Sequence, residues 1–290
     1  MKQKLTKTLF AAAAAGLLFA GCSSAPKDDA AADDTASTTI KVGATTAPHA
    51  QILEQIKDDM KEAGYDLEIV EFSDYPNIDP STSDGSLDAN YFQHQPYLTS
   101  YNDDQGFAEG DDGYLVSAGA IHYEPLGLYS DKVTNEGDEF DPAIVEEGAE
   151  IAVPNDPSNE ARALVLLQDL GLITLKDGAD IDNATINDIE KNDKNLKITE
   201  LAADQIASKL ADVDFAIVNG NYALTSEITD KLLTTEAADS DAAQTYQNVI
   251  AVKESRKDDE AIKKLVELLK SDKVKTYIEE TYEGTVLPAE

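Results

Sequence analysis

The sequence predicts a mixed α/β fold of two lobes with a cleft between them, and three observations predict it. Strand-like and helix-like segments alternate along most of the 290 residues. The alternation opens with a β-α-β unit, which demands a parallel sheet and a right-handed crossover. About 250 residues follow the polar N-terminal stretch, enough for two cores rather than one.

Each element has a local reason. Thr39-Ile-Lys-Val-Gly43 alternates apolar and polar residues and ends in glycine, as a strand entering a turn does. From His49 to Ala63, Ile52, Leu53, Ile56 and Met60 recur at helical spacing, and Gly64 stands where a helix stops. Leu67 to Phe72 is the next strand. Tyr114 to Ile121 and Leu126 to Tyr129 read as two strands joined across His122-Tyr-Glu-Pro125. A second unit then begins, with a strand at Glu150 to Val153, an apolar helix from Ser158 to Leu170 stopped by Gly171, and a strand at Leu196 to Leu201. A helix at Ala203 to Leu210 and a strand at Phe215 to Val218 complete it. Gln247 to Val252 is a strand, and helices at Asp259 to Leu269 and Asp272 to Tyr282 follow, the second ended by Gly284. No internal repeat is visible. One lobe is expected to comprise residues 40–122 with 247–290, and the other residues 123–246. The polar loops at Asp74-Tyr75, Phe92-Gln-His94, Asn155 to Asn159 and Asn219 would converge on the cleft, because ligands favour the carboxyl ends of parallel strands.

The N-terminus reads as an export leader. Lys2, Lys4 and Lys7 precede an uncharged run from Leu9 to Ala20. That run is too short to cross a hydrocarbon layer of roughly 30 Å. Leu18-Phe19-Ala20-Gly21-Cys22 resembles a bacterial lipobox, in which small residues precede a cysteine that is acylated and becomes the new N-terminus. Cys22 is the one cysteine of the chain and cannot pair within it. An ordinary signal peptide with a stray thiol is the competing reading. The expectation is a signal peptide over residues 1–21, lipidation at Cys22 and a flexible polar tether over residues 22–39. Two or three acyl chains hold firmly where one holds weakly. The mature chain is therefore placed on the outer face of the cytoplasmic membrane, touching it through the anchor alone.

The net charge of −34 comes from 57 acidic and 23 basic residues. Such a surface repels phosphates, so nucleic acid is not an expected partner. Arginine occurs only at Arg162 and Arg256. Its planar fork matches a carboxylate where lysine does not. Arg256 lies in Glu254-Ser-Arg-Lys-Asp-Asp, which reads as an exposed turn. Arg162 lies just inside a helix that begins after Asn155-Asp-Pro-Ser-Asn159, and a helix start and an arginine fork both favour a carboxylate.

Catalytic motifs are missing. The chain has no Gly-x-Ser-x-Gly, no Gly-x-Gly-x-x-Gly and no phosphate loop. No histidine is spaced toward a serine and an aspartate in the manner of a triad. The reading is a protein that is not an enzyme and takes no cofactor. The three histidines, His49, His94 and His122, are widely spaced and form no i, i+4 ligand pair, so no metal is expected.

Six segments occur in order: Val42-Gly-Ala-Thr-Thr-Ala-Pro-His-Ala, Phe72-Ser-Asp-Tyr, Asp84-Gly-Ser-Leu-Asp-Ala-Asn-Tyr-Phe-Gln-His-Gln-Pro-Tyr-Leu98, His122-Tyr-Glu-Pro-Leu-Gly-Leu-Tyr-Ser130, Val153-Pro-Asn-Asp-Pro-Ser-Asn-Glu-Ala-Arg-Ala-Leu164 and Val218-Asn-Gly-Asn-Tyr-Ala223. With the lipobox and Val286-Leu-Pro-Ala289 they closely resemble the NlpA/MetQ family of lipoproteins, methionine-binding receptors of ABC importers. The resemblance covers nearly the whole mature chain. It implies a two-lobed periplasmic-binding fold of type II and a monomer that hands an amino acid, methionine first, to a membrane permease driven by a cytoplasmic ATPase. It further implies that Tyr75, Phe92 and His94 line the side-chain end of the pocket. Asn159, Arg162 and Asn219 would take the amino-acid backbone, and His122 would stand at the lobe crossing. Without the resemblance, ordinary core packing competes for Tyr75 and Phe92, and a strand-end turn competes for Asn219.

The chain departs from the family pattern after Tyr75. Pro76, Pro80 and the Ser/Thr cluster around them are expected to break a helix that the family carries there. Two readings of other classes stand beside the receptor: a zinc or manganese receptor, and a surface interaction protein or adhesin on the same fold.

Overall fold

Two sheets share the chain, and it passes between them twice. The computed structural model describes residues 38–135, 137, 139–237 and 244–289. The leader, Cys22 and residues 22–37 of the expected tether lie outside the described residues.

The first sheet opens with β1 (Thr38–Thr45), whose first two residues were assigned to the tether; they pair with Tyr65 and Asp66. The single helix expected from His49 to Ala63 is instead two short ones, α1 (Gln51–Glu54) and α2 (Lys57–Glu62). The break falls at Ile56, with φ −109° and ψ 2°. Ile52, Leu53, Ile56 and Met60 are nonetheless all buried, and Gly64 ends the unit at φ 91°. β2 (Tyr65–Phe72) returns parallel to β1, as the β-α-β opening requires.

The expected helix break after Tyr75 does not occur. Residues Ile78–Ser83 form α3, with Pro80 as its third residue. A proline in the first turn gives up an N–H that has no acceptor within the helix, so the ring fits there without loss. β3 (Ala89–His94) follows, buried along its whole length. α4 (Gln95–Gln105) is capped by the His94 ring, whose Nδ1 accepts the Tyr97 N–H at 3.2 Å. β4 (Leu115–Tyr123) completes this part.

After residues 124–126 the chain enters the second sheet with β5 (Gly127–Tyr129) and β6 (Glu150–Pro154). α5 (Pro157–Asp169) starts at Asp156, whose carboxylate accepts the Asn159 N–H at 3.0 Å, with Pro157 preset as the first helical residue. A two-stranded ribbon of β7 (Thr174–Leu175) and β8 (Ile189–Lys191), not anticipated from sequence, precedes β9 (Lys197–Leu201). α6 (Ala203–Ile206), β10 (Phe215–Val218), α7 (Gly220–Thr225) and β11 (Leu232–Thr235) follow. The chain then returns to the first sheet with β12 (Gln247–Lys253), α8 (Glu260–Leu269), α9 (Asp272–Tyr282) and β13 (Leu287–Pro288).

The strand orders are β13-β4-β12-β3-β1-β2 and β11-β5-β10-β6-β9. One apolar core lies under the first sheet, with Val42, Ile52, Ile250, Leu265 and Ile278. Another lies under the second, with Leu128, Ile151, Leu164, Leu167 and Ile217. A third joins Tyr75, Ile78 and Phe92 to Ala152, Val218 and Tyr222, and so spans both sheets. Each fully buried Leu or Ile contributes roughly 1.5–3 kcal/mol. Arg256, expected in an exposed turn, is partly buried and pairs with Asp88 and with Asp259 at 2.8 Å. No helix among the described residues is long and apolar enough to cross a membrane.

Asp79 is the residue of α3 with the strongest energetic consequence. It is buried, and its Oδ1 accepts from Asn90 Nδ2 at 2.9 Å and Gln93 Nε2 at 2.5 Å. Its Oδ2 has no partner among the described residues. Burial pushes the carboxyl from 3.8 up to about 7. The fold therefore favours the protonated form, and the stability this group contributes is full below about pH 4 and lost as pH rises through 7. Asp79→Asn should melt higher than the native chain at pH 8, by up to about 4 kcal/mol in unfolding free energy, with the gain fading below pH 5. Thermal melts at the two pH values check this, and a variant less stable at both contradicts it.

Candidate functional site

Where the sheets meet, a narrow cavity of about 20 Å³ is lined by Tyr75, Phe92, His94, Tyr97, Asn159, Arg162, Asn219, Asn221 and Glu124 among others. Six of the seven pocket residues named from sequence, Tyr75, Phe92, His94, Asn159, Arg162 and Asn219, reach this wall. The seventh, His122, stands behind it, fully buried and bonded to Glu124.

One end of the cavity is aromatic. The Tyr75 ring lies 5.5 Å from Phe92 and 4.9 Å from Tyr222, and Phe92 meets Tyr97 edge-on at 5.6 Å. These are tilted and T-shaped contacts, the arrangements ring quadrupoles favour. The Tyr75 hydroxyl donates to Asn221 Oδ1 at 2.5 Å, from the first sheet's side to the second's.

The other end is a run of amides. The Nδ1 of His94 is taken as an acceptor, so its Nε2 carries the proton and donates to Asn159 Oδ1 at 3.1 Å. Asn219 Nδ2 donates to the same oxygen at 2.9 Å, and Asn159 Nδ2 donates to both oxygens of Asp156. Burial, reinforced by the charge of Arg162, lowers His94 to about 3, so the ring stays neutral. Asn219 Oδ1 and Asn221 Nδ2 are buried without partners among the described residues, one an acceptor and one a donor.

Arg162 departs from expectation. Its fork does not stand open for a ligand carboxylate, because Glu236 holds it: Nε lies 2.9 Å from Oε1 and Nη2 2.6 Å from Oε2. Nη2 also donates to the Glu124 carbonyl at 2.8 Å. The guanidinium sits 4.4 Å from the Tyr246 ring centre and 5.6 Å from that of Tyr123. A buried arginine requires a counter-ion, and nothing in the sequence marks Glu236 as that ion.

Behind the wall, His49 and His122 converge on Glu124. His122 Nε2 is 2.8 Å from Glu124 Oε1, and its Nδ1 takes the Tyr91 hydroxyl. His49 Nε2 lies 2.9 Å from Asn248 Oδ1 and 3.3 Å from Glu124 Oε1, and its Nδ1 takes the Thr45 hydroxyl at 2.7 Å. Burial lowers the two rings to about 4 and about 3. Two hydroxyl donors and two acceptors account for all four ring nitrogens, so hydrogen bonding alone explains the cluster. Burial raises the Glu124 carboxyl, opposed by His49, by the Asn221 backbone N–H and by Arg162.

Glu124 and Asn221 went unmarked although both stand inside quoted motifs, His122 to Ser130 and Val218 to Ala223. Tyr97 also stood inside a quoted block. Glu236, Tyr246 and Asn248 carried no local signal.

Two α/β halves around a buried cavity of this make define a solute-binding protein of the periplasmic-binding class. The chain matches the NlpA lipoprotein model over residues 40–290 and belongs to that family. The methionine-binding lipoprotein MetQ of Bacillus subtilis is 37% identical over 274 residues, 94% of this chain and 95% of that protein. Membrane lipoprotein TpN32 of Treponema pallidum is 36% identical over 255 residues, 87% and 88% of the two chains. Among solved structures, a lipoprotein of Ruminococcus gnavus shares 49% identity at a TM-score of 0.80, covering 87% of this chain and all (100%) of its own. A nutrient binding protein of Burkholderia cenocepacia bound to methionine shares 40% identity at a TM-score of 0.77, with coverage of 87% and 100%.

Breaking the Arg162–Glu236 pair leaves a buried charge alone. Arg162→Ala and Glu236→Ala should each cost about 3–5 kcal/mol of stability, and the double variant less than the sum. Urea unfolding of the four proteins measures the coupling; additive losses would remove the pair from its central place.

Proposed function

We propose that this chain is a lipid-anchored receptor that captures methionine, or a close amino-acid analogue, and delivers it to an ABC importer. The observation that carries the reading is the two-ended cavity. A buried aromatic end suits an apolar, flexible side chain, and the polar end keeps an unpartnered acceptor and an unpartnered donor together. A free amino acid has those ends in that order.

In this reading Tyr75 and Phe92 hold the thioether by apolar and sulfur–aromatic contacts worth about 0.3–1.5 kcal/mol. His94 fixes Asn159 from the opposite side. Asn159, Asn219 and the edge of the Arg162 guanidinium left beside its bonds to Glu236 and the Glu124 carbonyl take the amino-acid backbone. Residues 40–122 with 247–290 form one lobe, residues 123–246 the other, and closure on the ligand makes the form the permease reads. The receptor is a monomer and performs no chemistry on its cargo. Cys22 carries the acyl chains, and the chain sits on the outer face of the cytoplasmic membrane. The names of the relatives support methionine over a metal ion.

Calorimetry on a soluble Cys22→Ala form tests the ligand. L-Methionine should bind more tightly than alanine, glutamate or lysine, and its methyl ester poorly. Phe92→Ala should weaken methionine by at least about tenfold. No heat with methionine beside tight binding of another amino acid would refute the substrate but keep the receptor.

Cys22→Ala also tests the anchor. The variant should fold and leave the membrane fraction; pelleting with membranes after a high-salt wash would refute lipidation as the tether.

A further inference from the structure

Behind the cavity wall, α3 and β3 hold a small polar cluster whose donors run out before its acceptors do. Asn90 Nδ2 donates to Asp79 Oδ1 at 2.9 Å and to Thr82 Oγ1 at 2.8 Å. Gln93 Nε2 donates to the same carboxylate oxygen at 2.5 Å and to Asn90 Oδ1 at 2.9 Å. The Thr82 hydroxyl gives its hydrogen to the Ile78 carbonyl at 3.0 Å. Every N–H of the two amides and the one O–H are then spent. Asp79 Oδ2 and Gln93 Oε1 remain, two buried acceptors without partners among the described residues. Of the four side chains only Asp79 can take up a further proton.

No cation among the described residues offsets the carboxylate. α3 packs on β1, β3, β4 and β12. Their ionisable side chains are Lys41, Tyr91, His94, His122, Tyr123 and Lys253, and none of them bonds Asp79. Lys41 pairs with Glu68 at 3.6 Å and Lys253 with Asp112 at 2.8 Å. Burial raises the Tyr97 and Tyr101 phenols of α4, and the Asp79 charge adds to it, so both stay neutral at pH 7. The cluster is joined to the cleft. Gln93 lines the cavity, and Ile78, next to Asp79, belongs to the core that spans both sheets. Drawing the sheets together therefore strips water from around the carboxyl, and desolvation favours its neutral form.

We propose that Asp79 is a positioning residue that holds the Gln93 amide in the cavity wall, and that the receptor binds a proton on Asp79 as it closes over its ligand. The inference rests on the receptor reading above and adds a regulation to it: capture is strongest in mildly acidic surroundings. In the closed form burial pushes the carboxyl up to about 7. A carboxyl that holds its proton more tightly closed than open makes closure easier at low pH. Affinity is then full below the pKa of the open form and falls as pH rises through that of the closed form. The proton comes from solvent and returns to it on opening.

The test compares the native pocket with Asp79→Asn, both in the soluble Cys22→Ala form, by calorimetry with L-methionine from about pH 5.5 to about pH 8. The substitution keeps the size of the side chain and removes its titration. The ratio of native to variant affinity should fall by about fivefold or more across that range. Glu124 and Asp156, acids raised by burial beside the same cavity, titrate in both proteins and cancel in the ratio. A ratio that stays constant with pH is the mark of a packing role and overturns the proposal. Titrations at pH 7 in buffers of different ionisation enthalpy count protons. The native pocket should take up roughly 0.3–1 more proton per methionine than the variant, and equal counts overturn the proposal. Infrared difference spectra of the native pocket with and without methionine need no variant to fold. The band of a protonated carboxyl should gain intensity on binding at pH 7, and no gain overturns the proposal. In each of these cases methionine still binds, so the receptor stands. Binding of no amino acid overturns both readings.

Discussion

The buried ion pair between Arg162 and Glu236 is the interaction on which the arrangement of the two sheets depends. Glu236 follows β11 in the second crossing, and Glu124, whose carbonyl Arg162 also holds, lies in the first. The Glu236 carboxylate accepts the Tyr123 hydroxyl at 2.7 Å and the Leu126 N–H at 2.9 Å, both at or beside that first crossing. Tyr123 and Tyr246 close over the guanidinium from the two connecting segments. One side chain from α5 therefore ties together both places where the chain changes sheet. Desolvating two such charges is expensive, and the pair is retained only because every strong donor and acceptor around it is met. A hydrophobic replacement of equal volume could match its stability but not its geometry.

That pair also decides the electrostatics of the cavity. Had Arg162 stood free, it would dominate the site and draw any anion. Matched by Glu236, it offers little net charge. The three histidines are neutral because burial disfavours their charged form, against Glu124 at His49 and together with Arg162 at His94. The cavity is thus polar through fixed dipoles, with an aromatic end and an amide end ordered by the bonds that run from Asp156 through Asn159 to Asn219. Selectivity in such a site comes from whether each buried dipole finds a partner, since a lost hydrogen bond there costs about 1–3 kcal/mol.

Much of this was legible in the sequence because it is local. The strands at Glu150 and Phe215, the helix stopped by Gly171 and the parallel β1–β2 pair all follow from periodicity and stop signals within a few residues. The pocket wall was legible because its residues lie inside contiguous motifs. What escaped was non-local. Glu236 pairs with Arg162 across 74 residues. His49 meets Asn248 across 199. Neither pairing leaves a trace in spacing or composition. Pro80 differs in kind: proline breaks a helix interior but fits the first turn, where Pro80 stands, because that turn's N–H groups have no acceptor within the helix.

The cavity's unpartnered atoms suggest how such a fold is switched. Tyr75 reaches Asn221, and His94 reaches Asn159, directly across the junction of the sheets. Those bonds draw the walls together, yet Asn219 Oδ1, Asn221 Nδ2 and Gln93 Oε1 are left buried without partners on the same wall. Each such atom disfavours the closed form by about 1–3 kcal/mol when no ligand satisfies it. An open form, with these groups hydrated, carries no such burden. A ligand that satisfies two or three of them at once changes the balance by several kcal/mol, enough to move a two-state equilibrium from mostly open to mostly closed. Direct cross-wall bonds make closure possible, and the unmatched atoms make it conditional. On the receptor reading proposed above, the same residues serve recognition and switching, because in a buried site an unsatisfied dipole is both a binding determinant and a strain on the closed state.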